Sequence, residues 1–104
     1  MQITLGQVVK SKAGRDTGKK FVVIQVLDEL NVQISNGDLR RIEKPKKKKV
    51  KHLELTGEII EPLSEKLKMK LKISNSEIRK ALSDLENKKV NDTLKNDNEN
   101  VRRF

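Results

Sequence analysis

The chain has 104 residues, 34% of them hydrophobic, with Phe21 and Phe104 the only aromatics; this supports one small aliphatic core and an appendage. It has no Cys and one histidine, His52, which excludes a disulfide scaffold and a Cys-based zinc site and leaves His52 without partners for a metal. No apolar run approaches the ~20 residues of a membrane span, and the start Met-Gln-Ile-Thr-Leu-Gly lacks a signal-peptide layout. The expectation is a soluble, cytoplasmic, monomeric chain with no cofactor and no small-molecule substrate.

The net charge of +9 is placed unevenly. Residues 1–52 hold 13 Lys and Arg against 5 Asp and Glu, whereas residues 53–104 hold 11 against 10. Such polarity predicts attraction to a polyanion. An anionic membrane usually calls for a basic amphipathic helix or a lipid signal, and the basic half here reads as strands. Nucleic acid is the better match.

In chain order, residues 3–10 alternate weakly and predict a first strand. Residues 12–19 form a charged loop with two glycines, Gly14 and Gly18, which take positive φ at little cost. Residues 20–27 are almost continuously apolar and predict a strand buried on both faces or sharply bent. Asp28 to Asn31 predicts a turn, and residues 31–35 an alternating strand. Asn36-Gly37 signals a two-residue type I′ hairpin, leading to a strand through Leu39 and Ile42 that ends at Pro45. A lysine run follows, then a last short strand through Val50, Leu53 and Leu55.

From Gly57 the pattern changes. Ile60, Leu63, Leu67 and Leu71 fall at helical spacing, although residues 67–73 also alternate as a strand would; helix to about Leu71 is favoured. Ser74-Asn75-Ser76-Glu77 reads as a capping box, opening a second helix to about Lys88 with Ile78, Ala81, Leu82 and Leu85 on one face. From Asn91 onward little can be buried, and a disordered tail is expected. Asn91-Asp92-Thr93 matches a glycosylation pattern that carries no weight without a secretion signal. The fold class is therefore mainly β with α. Residues 1–56 form a small β-barrel, residues 57–90 a helical extension of one or two helices, and residues 91–104 a flexible polar tail.

The strand, glycine-bearing loop and second strand over residues 4–30 resemble the KOW motif of ribosomal and transcription-elongation proteins, with Gly14 as its glycine. Ala13-Gly14-Arg15-Asp16-Thr17-Gly18-Lys19 and the distal Lys51-His52-Leu53-Glu54 are similar to the fourteen-e type large-subunit ribosomal proteins and their short bacterial relatives. The resemblance covers residues 3–55. It implies a Src-homology-3-like barrel that binds ribosomal RNA, although the helical half departs from the eukaryotic and archaeal members.

The residues expected to meet RNA are Lys10, Lys12, Gly14, Arg15, Lys19 and Lys20 on the loop side. Arg40, Arg41, Lys46, Lys47, Lys48, Lys49, Lys51 and His52 extend the surface. Lysine supplies mobile point charge and hence affinity with little discrimination. Arg40 and Arg41 could each hold a phosphate through a guanidinium fork, or pair with Asp38 or Glu43. His52 is expected to fix a turn. No residue set supports catalysis: residues 14–19 lack P-loop spacing, and nothing accompanies His52 as a nucleophile or acid. Phe21 alone offers little for stacking bases, so structured RNA read by shape and backbone fits better. The rival expectation is a protein-interaction module docking on transcription or translation machinery.

Overall fold

A computed structural model of the chain describes the backbone of residues 3–98 and the side chains of residues 3–86. Five strands, β1 (Gln7–Ser11), β2 (Lys20–Val26), β3 (Asn31–Ser35), β4 (Lys46–Lys49) and β5 (Leu53–Ile59), precede two helices, α1 (Leu63–Lys68) and α2 (Asn75–Asn98). All strand pairs are antiparallel, in the order β4-β3-β2-β1-β5. The first four strands thus form a meander, and β5 returns to the free side of β1. Among the described residues no pairing joins β4 to β5, so the sheet is not closed.

Phe21 to Val23 of β2 are buried on both faces because successive strand residues point opposite ways, whereas Val26 at the strand's end is exposed. Phe21 and Val23 join Val9, Val32, Ile34 and Leu53 in one cluster, built from strand residues alone, with Leu55 and Val50 at its margin. Val22 faces the other way and packs with Leu63 of α1 and Ile78 of α2. Phe21, Val22, Val23 and Ile78 are each fully buried, and such side chains contribute about 1.5–3 kcal/mol apiece.

Each helix packs closely on a glycine that flanks a strand. Gly6 has φ +84°, and a Cβ built there would lie 2.6 Å from Cα of Ser64 in α1. Gly37 has φ +73°, and a Cβ there would overlap the Asn75 carbonyl oxygen at the start of α2. Side chains complete the second junction. Asn75, 8% exposed, accepts the Ile42 N–H at 2.8 Å and donates to both Glu43 carboxylate oxygens. Arg79 donates to the Gly37 carbonyl. The capping box forms as expected: Ser74 Oγ accepts the Glu77 N–H and Glu77 Oε1 accepts the Ser74 N–H.

Several expectations are corrected. Residues 3–6 lie outside β1, which starts at Gln7. Asn36-Gly37 does not make a two-residue hairpin. Asn36 Oδ1 instead accepts the N–H groups of Asp38 and Arg40, opening a longer connection to β4, and no strand runs through Leu39 and Ile42. The lysine run is itself the fourth strand, because pairing with β3 outweighs the low strand propensity of lysine. The Val50 segment is a short 3-10 turn, with β5 starting at Leu53. Helix α1 ends at Lys68, short of Leu71. Helix α2 runs on to Asn98, past Lys88 and through most of the expected tail; residues 99–104 lie outside the described residues.

Candidate nucleic-acid interface

The basic loop between β1 and β2 is a tightly tied structure. The Gly18 N–H donates to the Ser11 carbonyl at 2.8 Å and the Ser11 N–H to the Lys19 carbonyl at 3.0 Å, closing the loop at its base. Thr17 Oγ1 and the Thr17 N–H both donate to the Gly14 carbonyl. Asp16, the sole acid of the loop, points inward, its side chain 7% exposed, and accepts from Arg40 Nε at 3.0 Å. This fixes the loop against the β3–β4 connection and leaves Lys12, Gly14, Arg15 and Lys19 exposed.

The lysine strand lies beside this loop. In β4, Lys46 and Lys48 stand opposite the buried Ile34 and Val32, whereas Lys47 and Lys49 stand opposite Gln33 and Asn31. Opposed residues share a face of the sheet, so the four lysines split by parity. Lys46 and Lys48 are half-buried, laying their methylene stems along the core margin, and Lys47 and Lys49 are exposed. Lys48 Nζ donates to the Ala13 carbonyl at 2.8 Å, so that a Cβ built on Gly14 would lie 3.5 Å from that ammonium. Lys51 is exposed on the turn that follows. His52 is half-buried there, and its backbone carbonyl accepts the Lys12 N–H at 2.9 Å. That bond joins the turn to the start of the basic loop.

Of the other expected contacts, Lys20 and Arg40 are paired with carboxylates. Lys10 and Lys20 stand directly opposite on β1 and β2, where like charges repel. Lys20 Nζ donates to Glu86 of α2 at 2.6 Å, and Lys10 has Glu54 opposite on β5. Arg40 is paired, with Asp16 rather than Asp38 or Glu43. Arg41 is exposed, its Nε 3.8 Å from Glu43, a pair of little strength in water. The structure therefore gathers Lys12, Gly14, Arg15, Lys19, Lys48 and the Lys51-His52 turn around one loop, and turns Lys47 and Lys49 outward on the adjacent edge.

Three carboxylates are held below their usual range, and one of them, Asp28, is close enough to the lysine strand to feel the charge of Lys47. Asp28 is lowered first by the Leu30 N–H and then by Asn31, in a side-chain-capped turn. Glu43 is lowered mainly by the Asn75 amide. Glu77 is lowered mainly by Lys66, whose ammonium lies 2.8 Å away, and then by the Ser74 N–H. Among the described residues no group of three or more His, Cys, Asp or Glu is placed to hold a metal ion, and no helix is long and apolar enough to cross a membrane.

The sequence reading missed Asp16 as the anchor of the loop, and Asn75 and Glu43 as the junction with α2. The isolation of Asp16 among cations was a usable signal, since a lone acid there is more useful inside than out. Nothing in the sequence marked Asn75 beyond its place in the capping box. No family model matches the chain.

Proposed function

We propose that the chain is a non-catalytic, cytoplasmic RNA-binding protein of KOW type, ribosomal or ribosome-associated, whose open sheet follows the strand order of a Src-homology-3-like barrel. The strand order, a four-strand meander with the fifth strand returned to β1, supports the barrel reading. The observation that carries the binding reading is the juxtaposition made by Lys48: an all-lysine strand docked 2.8 Å from the carbonyl of a basic, glycine-bearing loop. A rigid ridge of cations suits the regular phosphate backbone of structured RNA. In this reading Lys12, Arg15, Lys19, Lys47, Lys49 and Lys51 meet phosphates. Lys48, Arg40 and Asp16 hold the loop that presents the first three, and Gly14 lets the backbone come close.

A protein-docking role is the second reading, favoured by the exposure of Leu30 (71%), Met69 (61%) and Leu71 (52%). Crosslinking in cells, with sequencing of the bound RNA and ribosome sedimentation alongside, separates the two. Enrichment of ribosomal RNA and co-sedimentation are expected; protein crosslinks without RNA enrichment would favour the second reading.

A further inference from the structure

A groove of about 520 Å³ lies between the end of β5, the β5–α1 corner and one face of α2. In the register of β1, Ile59 of this groove pairs with Gln7, whereas the basic loop follows Ser11 at the opposite end. Its floor is apolar, formed by Ile59, Ile60, Leu63, Ala81 and Leu85, with Ile59 46% exposed. Its rim carries Glu58, Glu61, Glu77 and Asp84 against one base, Lys80. In a chain of net charge +9, this concentration of carboxylate around an apolar floor stands apart from the rest of the surface. The walls are fixed: Glu77 is held by Lys66 and by the Ser74 N–H, and Ile78 anchors α2 in the core behind it. Glu61 and Asp84 are exposed on opposite walls.

We infer that this groove docks a basic amphipathic peptide segment of a protein partner, its aliphatic side chains on the Ile59–Leu63–Leu85 floor and its Lys or Arg on the Glu61 and Asp84 rims. Charge complementarity selects this occupant. Phosphate backbone and acidic segments are both repelled by the rim, while an uncharged apolar segment gains nothing from the exposed Glu61 and Asp84 carboxylates. Apolar contact supplies affinity, and the flanking carboxylates set orientation and exclude acidic competitors. The protein would then join RNA at one end of the sheet to a basic protein segment at the other.

The test uses a fluorescent peptide roughly three helical turns long, with Leu at positions i, i+3, i+4 and i+7 and Lys elsewhere. It is titrated into the isotope-labelled full chain, beside a version with Glu for Lys and one of scrambled order. Saturable binding is expected, with amide shift changes centred on Ile59, Ile60, Leu63, Ala81 and Leu85, and no binding of the Glu version. The Glu61→Gln/Asp84→Lys variant, which keeps the side-chain oxygen that accepts the Glu65 N–H at 3.3 Å, should bind at least about tenfold more weakly while melting like the parent. Equal binding of the scrambled peptide, shifts centred elsewhere, or indifference to the double substitution would overturn the inference. So would sedimentation showing a second copy of the chain already seated in the groove.

Discussion

The Lys48 ammonium and the Ala13 carbonyl, 35 residues apart in sequence, meet at 2.8 Å and join the edge strand β4 to the β1–β2 loop. A lysine whose ammonium is engaged in this way acts first as a strut. Lys48→Met keeps the stem that covers the core margin and removes the hydrogen bond. The expected stability loss is about 0.5–1.5 kcal/mol, the ordinary worth of one such bond. Hydrogen exchange at the Thr17 and Gly18 amides should quicken as the loop loosens, with weaker RNA binding in parallel. Unchanged exchange at those amides would remove Lys48 from the role of strut.

Asp16 and Arg40 tie the same loop from the other side. Asp16→Ala leaves a guanidinium without its buried partner, at an expected cost of about 1–3 kcal/mol. At roughly 4–8 °C per kcal/mol for a domain of this size, thermal melts followed by circular dichroism resolve the effect. Asp38→Ala, an exposed acid in the same connection, should stay within about 0.5 kcal/mol of the parent.

The glycines at the helix junctions separate by what lies above them. Gly37→Ala and Gly6→Ala meet backbone of Asn75 and Ser64 and also carry positive φ. Each should cost about 2–4 kcal/mol, combining overpacking with backbone strain. Gly57→Ala, at φ +81° with nothing within 4 Å, carries the conformational cost alone, about 1 kcal/mol. Denaturant midpoints for the three variants check the ranking.

Acid should weaken the fold. The carboxyls of Asp28, Glu43 and Glu77 are lowered from ordinary values of 3.8, 4.5 and 4.5. A group whose folded pKa is depressed contributes stability above its unfolded value and loses it as pH falls through the folded value. Melting temperature should therefore hold steady near neutrality and fall below about pH 4.5. Salt should screen the part of this loss that comes from the Lys66–Glu77 pair, while the parts from amide hydrogen bonds to Asp28 and Glu43 persist. Glu77→Gln should flatten the acid limb, since it cannot gain the proton that breaks the Lys66 pair; an acid limb identical to the parent's would contradict its assignment.

Much of this fold was legible where apolar side chains carry the information. The β-branched run of β2, the alternation of Val32 and Ile34 in β3, and the Ser74–Glu77 capping box each report local preferences that the tertiary structure agrees with. β4 was not legible, because four lysines carry neither β propensity nor an apolar pattern, and only the free edge of β3 makes them a strand. The parity that separates Lys47 and Lys49 from Lys46 and Lys48 was hidden with it. Gly37 misled for a related reason: Asn-Gly reports tolerance of positive φ, and the fold uses that tolerance to seat α2 rather than to close a hairpin. The Asp16–Arg40 and Lys48–Ala13 contacts depend on how the sheet brings distant segments together, which residue spacing does not encode.

The salt dependence of RNA binding tests the central claim most directly. Affinity of the full chain for a structured ribosomal RNA fragment is measured across ionic strength, beside Lys47→Thr/Lys49→Thr, which removes the two outward charges and keeps a β-compatible strand. The account predicts a steep log–log slope for the parent, flattened by roughly 0.7–0.9 for each lysine removed, with melting unchanged. A parent slope near zero, or a slope indifferent to the loss of both lysines, would contradict it.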